Sequence, residues 1–372
     1  MNFSLNILGN TSVLKEKREQ TRMLHVYLEE RSIEYALVKY AEQSAFVELT
    51  FSTEHSGSKD LGGHGLEESI TQMIGHMASS LGSDTSEENT IRIDHITVSL
   101  SPAFIESESA DVVRISESPK VLTSFETDLD ISDTIIHREI RDVSLNGYKV
   151  SPADALGLTS ETVTFKEEVH TLERSFTKMI KDVFEKNIPG STLSITSSLA
   201  ESIYVIERLL SPQDDWQLLH IDHADTYLYK RDGSTTTALG YGFDELIEQL
   251  VVGGVGHDEL AVLTSLRMAV RGDLARDISE KASYTLDIES SVIVDALTDA
   301  GYNTKSALYV HTPHRVISDL IGGRLGKAYA LEQEYRNTAH HSEYVHIPAH
   351  LRVSMHLLAA IEYHMINQDS SL

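Results

Sequence analysis

Asp222 and Asp225 stand three positions apart between two short apolar runs, in LLHIDHADTYLYKRDG at residues 218–233. Paired carboxylates at a bend are residue types that can fix a magnesium ion through its water. With His220 and His223 they also form a set of four metal-ligand types. Alternation along a strand divides that set, because His220 and Asp222 point one way and His223 the other. No metal site is therefore expected here.

The other candidates resolve into structure. The 18 histidines include a C-terminal set, His340, His341, His346, His350, His356 and His364. His346 and His350 have helical spacing, but Pro348 between them opposes a helical turn. Gly253, Gly254 and Gly256 miss the dinucleotide-binding spacing because Glu259 takes the last glycine position, so a helix end and turn is expected. Gly322, Gly323, Gly326 and Lys327 miss the P-loop pattern, with Ile321 and Ala328 at required positions. Glu167-Glu168 and Asp214-Asp215 read as solvated faces. No G-x-S-x-G or H-E-x-x-H occurs.

The elements that must position Asp222 and Asp225 form a hairpin feeding a helix. Leu218 to Ile221 is long enough for a buried strand, and Thr226 to Tyr229 are strand formers. Asp232-Gly233 is a turn signal, and Thr235 to Leu239 a further strand. Phe243, Leu246, Ile247 and Leu250 then share a helical face. The same order occurs earlier. MLHVYLEE, SIEYALVKYAE and SAFVELTFS read as strands, and Leu66, Ile70, Met73, Ile74 and Met77 mark a helix. A unit used twice predicts two related α/β domains, with a ligand cleft between them.

Between them, FIESESADVVRISES, TIIHREIRDVSL and ETVTFKEEV are strand-like, with turn signals at Asn146-Gly147 and Ser151-Pro152. Helices are expected over residues 170–186, at AESIYVIERLL, at DELAVLTSLRMAV, from about 273 to 299, and near the end of the chain. The long one carries Leu274, Ile278, Ile288, Val292, Ile293 and Leu297 as its apolar face. The expected boundaries are a tail at 1–20, a first domain at 21–101 and 169–212, an inserted subdomain at 102–168, and a second domain at 213–372.

Composition narrows the partners. With 31 Lys plus Arg against 57 Asp plus Glu, the formal charge is −26, which disfavours nucleic acid and anionic lipid. Hydrophobic residues at 41 % suit a globular protein with a sizeable core. No apolar run is long enough for a membrane span, and the first residues lack a signal peptide's charged start. The absence of cysteine excludes disulfide and thiolate-metal frameworks and fits a cytoplasmic location.

REIRDVSLNGYKVSPADALGLTSETVTFKEEV, residues 138–169, resembles the end of the inserted subdomain in actin-like ATPases of the FtsA and PilM type. Asn146, Gly147, Tyr148, Pro152 and Gly157 stand where that motif has them. Element order is similar over roughly residues 22–365. The resemblance implies a two-domain actin-like (ribonuclease H-like) fold with a small insert in the first domain. It also implies ATP and magnesium held by two phosphate loops and an adenosine loop.

This chain departs from the family at all three loops. Tyr27 replaces the first loop's Asp, and Glu29 and Arg31 replace its glycines. A phosphate needs close approach to bare main chain, which those side chains deny it. In the second loop Asp222 remains, His223 and Ala224 follow, and Asp225 replaces a later Asp. The adenosine loop's Gly-Gly is replaced by His311, Thr312, Pro313 and His314. These departures predict a pseudo-ATPase with no cofactor, acting as a scaffold in cell division or type IV pilus assembly. The alternative is an ATPase with divergent loops, in which Asp222 and Asp225 hold magnesium-bound water. The resemblance implies protein partners, including membrane-anchored division or pilus components, and self-association. IEYHMINQDSSL lacks a basic amphipathic pattern, so direct membrane insertion is not expected.

Overall fold

The computed structural model describes residues 21–29, 32–41, 44–54, 64–81, 92–125, 134–210, 212, 215–231, 237–312, 314–325, 328–336, 344–348, 350–351 and 353–369. The expected tail, the Asp232-Gly233 turn and Arg31 lie outside them.

Two sheets repeat one strand order. In the first, β1 (Thr21–Leu28), β2 (Ser32–Ala41) and β3 (Ser44–Glu54) form an antiparallel meander. β4 (His95–Leu100) and β9 (Thr192–Ser197) then pair in parallel beyond β1, while β15 (Val345–His346) pairs beyond β3. In the second, β10 (Trp216–Ile221), β11 (Thr226–Lys230) and β12 (Thr237–Ala238) form the meander, and β13 (Ala307–His311) and β14 (Ala328–Ala330) extend it in parallel. Parallel neighbours need a crossover, which the helices supply. They are α1 (His64–Leu81) before β4, and α4 (Phe243–Val252), α5 (Glu259–Arg271) and α6 (Arg276–Asp299) before β13. The predicted faces of α1 and α4 are buried at every named position. Gly253 caps α4 and Gly254 turns the chain at φ +75°, as their spacing implied.

Contacts divide the chain into two units. One takes the described residues up to Ser101, Lys178–Ser211, and Glu332 onward, and the other takes Pro102–Thr177 and Pro212–Leu331. The described residues from Glu332 onward thus group by contacts with the first unit. The cause is α8 (Met355–Asp369), whose Leu357, Leu358, Ala359, Ala360 and Ile361 are buried, and which packs against β1 to β4 and α3 (Ser198–Val205). No helix among the described residues is long and apolar enough to cross a membrane.

The insert leaves the chain after β4 and rejoins the first sheet at β9, with α2 (Arg174–Asn187) just before it. It forms its own antiparallel sheet, ordered β5 (Glu106–Val121), β8 (Thr159–Leu172), β6 (Thr134–Leu145), β7 (Tyr148–Lys149). Its core is Leu122, Val143, Leu145, Ala155, Val163 and Phe165. By contacts it groups with the second unit. The helix expected from residue 170 starts at Arg174, because His170, Thr171 and Leu172 still pair in β8 with β6 and in part with β5. Glu167 and Glu168 are buried, not solvated: β8 is central, and Arg138 meets Glu167 at 3.0 Å and His170 meets Glu168 at 3.2 Å.

Asn146, Gly147, Pro152 and Gly157 are turn-makers. Asn146 and Gly147 take φ +51° and +86° between β6 and β7, as a two-residue hairpin requires. Asn146 Oδ1 accepts from the amides of Glu161 and Thr162 and from Ser160 Oγ, at 3.1, 3.0 and 2.9 Å. Pro152 opens a one-turn helix capped by Ser151, and Gly157 at φ +84° bonds Leu122. Asn146→Ala should lower stability by about 1–2 kcal/mol, since three donors lose one acceptor and a positive φ is kept. Tyr148→Ala, at a site 77 % exposed, should stay within about 0.5 kcal/mol. Thermal unfolding of both variants checks the contrast.

Candidate functional site

The second hairpin turn is closed on itself. β10 stops at Ile221 and β11 opens at Thr226, and the Asp222 amide donates to the Asp225 carbonyl at 2.8 Å. Asp225 Oδ1 accepts from the amides of Thr226 and Gly240 at 2.8 and 2.7 Å. Asp222 Oδ1 accepts from the His223 amide at 2.9 Å. The first amides of α4 also point inward. Phe243 donates to the Asp222 carbonyl, Asp244 to the His223 carbonyl, and Gly242 to Glu245 Oε2, at 2.8, 3.0 and 2.8 Å. A helix start of this kind is a ready anion site. Here loop carbonyls and internal carboxylates already fill it.

Side chains reinforce the closure. His223 Nδ1 lies 3.0 Å from Asp244 Oδ1, and its ring meets Phe243 edge-on. Burial alone would lower the His223 pKa. The bond to Asp244 and the charges of Asp244, Asp222 and Glu259 outweigh that and raise it. His314 also packs on Phe243, with ring centroids 5.2 Å apart, and lies 3.4 Å from Glu259. Beneath, His220 and His311 are register partners with rings 4.8 Å apart, both buried and both held to lower pKa by desolvation. Past His311, Thr312 Oγ1 bonds the His314 carbonyl and Ser318 Oγ, which closes the turn after β13.

In the first unit, Tyr27 is 1 % exposed and stacks on His356 of α8, with centroids 3.8 Å apart and planes 11° apart. An aromatic pair thus fills this end of β1. Glu29 is 2 % exposed; its Oε2 accepts from Ser32 Oγ at 2.8 Å and its amide donates to the Ser32 carbonyl. The carboxylate is folded into the turn.

Sequence reasoning missed a polar layer on the same side of this sheet. His25 Nε2 lies 2.7 Å from Tyr40 Oη, and His364 of α8 packs on both rings and on His95. Glu201 of α3, buried and accepting from Ser99 Oγ at 2.8 Å, is pushed up to about 8 by desolvation. Tyr335 donates to buried Glu362. The one available signal was the eight-residue spacing of His356 and His364, which puts them near one helical face. Asp244 and Glu259 were also missed as neighbours of His223, because only folding brings them there.

Among the described residues, no group of three or more side chains could hold a metal ion. A cavity of about 350 Å³ runs along α6, lined by Asp287, Ser290, Ser291, Val294, Asp295 and Arg324, and none of the predicted site residues lines it.

No protein-family model matches the chain, and no curated protein matches its sequence. Solved structures do. A PilM-PilN type IV pilus biogenesis complex is similar at 11 % identity over 93 % of this chain and 98 % of that one, with TM-score 0.54. A Bacteroides thetaiotaomicron protein with an actin-like ATPase fold, at 6 % identity, covers 93 % of this chain and 97 % of that one with TM-score 0.40. The ethanolamine utilization protein EutJ of Carboxydothermus hydrogenoformans, at 12 % identity, covers 91 % and 86 % with the same score. The last two are too distant to argue from. With its twice-used strand order and its likeness to the pilus complex, the chain has the two-domain actin-like fold.

Proposed function

We propose that this protein is a pseudo-ATPase scaffold of the FtsA/PilM type, which acts by binding other proteins. The observation that carries this reading is the closed turn at Asp222–Asp225: the Asp222 and His223 amides, and those of Gly242, Phe243 and Asp244 at the start of α4, are engaged by the chain's own oxygens. A triphosphate would have to displace Asp225 and break the α4 cap together. Tyr27 on His356 and the inward Glu29 support the same reading at the first loop. Carboxylates already accepting from main-chain amides are poorly placed to hold magnesium-bound water.

The partner side of the proposal rests on the likeness to a complex of PilM with PilN. We take this protein to work in the cytoplasm, reaching the membrane's inner face through a partner. Division and pilus components are the candidates, and self-association is part of the reading. Equilibrium titration with labelled ATP and magnesium should show no saturable binding up to millimolar nucleotide. Tight binding would defeat the proposal, and turnover abolished by Asp222→Ala would establish an ATPase in its place.

A further inference from the structure

α8 meets the first sheet through rings that can take up protons. His364 packs on His25, Tyr40 and His95, with ring centroids 6.0, 5.0 and 6.1 Å apart. Three imidazoles, from β1, β4 and α8, thus share one small volume.

That volume suits neutral rings. His25 is fully buried, its Nε2 lies 2.7 Å from Tyr40 Oη, and its Nδ1 has no hydrogen-bond partner. An imidazolium has two N–H donors, so a proton on His25 would leave one of them buried and unanswered. Both nitrogens of His95 are engaged, Nδ1 with Thr192 Oγ1 at 2.5 Å and Nε2 with Ser194 Oγ at 2.9 Å. Those bonds hold the His95 ring in place against His364. Two carboxyl groups act on Tyr40, Glu362 of α8 and Glu201 of α3. Burial pushes Glu201 up to about 8, so it is neutral in acid. Tyr335 donates to Glu362. On α8's other flank, Tyr363 meets Tyr204 of α3 edge-on, and Arg208 lies over the Tyr204 ring. Glu362 at most is left to offset three positive rings, and the later protons must enter beside an existing like charge.

The ladder of β1 to β4 and β9 is complete without α8, so the helix can leave without breaking any of that strand pairing. We propose that α8 is a proton-released cover: protonation of His25, His95 and His364 lifts it from the first sheet before the rest of the chain unfolds. In water each ring takes its proton at no such cost, and that difference drives the opening.

Hydrogen exchange of the full chain at pH 7.5 and 5.5, corrected for intrinsic rates, tests this. Amides of α8 should exchange at least tenfold faster at the lower pH, and those of α4 to α6 less than threefold faster. The ratio between the two pH values is read within each variant, so a general loss of stability does not imitate it. His364→Gln, which takes no proton, should cut the α8 ratio to a third or less, and so should His95→Gln. His257→Gln, at a side chain 87 % exposed, should leave it unchanged. Equal acceleration of α8 and of α4 to α6 would mean global unfolding and overturn the proposal. An α8 ratio near one in the parent overturns it too, as does a full ratio kept by both His364→Gln and His95→Gln.

Discussion

Gly242→Ala is expected to lower the unfolding free energy by about 3 kcal/mol or more. Gly242 lies where α4 starts against the β10–β11 turn. A Cβ there would sit 2.3 Å from the His223 carbonyl oxygen, 2.5 Å from the Ala224 carbonyl carbon and 2.7 Å from the Asp225 amide nitrogen. All three are backbone atoms, so no side chain can rotate away. Its φ of −121° is ordinary, and the whole effect is steric. The turn and the helix start must separate, which disturbs the bonds of Phe243 to Asp222 and Asp244 to His223. Gly240 supplies the control. It has φ +67° with nothing near its Cβ position, so Gly240→Ala should cost about 1 kcal/mol, from backbone strain alone. Urea midpoints at unchanged slope measure both. A Gly242→Ala midpoint equal to that of Gly240→Ala would refute the close approach.

Stability should also fall steeply as pH drops from about 6.5 toward 4. Desolvation lowers the pKa of His25, His95, His220, His311 and His364, with His364 reaching about 4. The sign follows from linkage. An unfolded histidine takes a proton as pH passes 6.5, while these do so only at lower pH. The unfolded state therefore binds more protons in that window, and stability falls with pH. His364 alone accounts for about 2 kcal/mol, after allowance for its partial exposure. Glu201 has the opposite sign. Its folded pKa of about 8 exceeds the ordinary 4.5, so its contribution is present at low pH and lost as pH rises toward 8. Glu201→Gln should thus gain about 3–4 kcal/mol on the parent between pH 5 and pH 8. Urea midpoints at pH 4.5, 5.5, 6.5 and 8 test both trends, and a flat profile from 6.5 to 4.5 would contradict the buried imidazoles.

The fold was legible because its signals are local. The apolar stripe of Leu66, Ile70, Met73, Ile74 and Met77 announced α1, and Asn146-Gly147 announced its hairpin. Ile288 and Val292 mark the limit of that reasoning. They continue the apolar pattern of α6 yet are 44 % and 43 % exposed, because Ala282, Leu286, Ile293 and Leu297 already supply its buried face. At the candidate turns the sequence placed Tyr27, Glu29, Asp222 and Asp225 at strand ends, since apolar runs lead into each. How each is accommodated was not legible. Tyr27 finds His356, and Asp225 finds Gly240, across separations that no periodicity encodes.

The return of α8 to β1 has a consequence for biosynthesis. The ribosome makes Tyr27 more than 300 residues before His356. Until α8 emerges, the face of β1 that carries His25 and Tyr27 lacks its cover, whereas the described strands and helices of the second sheet have already been delivered. A nascent chain stalled before Met355 therefore holds one complete domain and one unfinished one, and the unfinished one is the part that chaperones would meet.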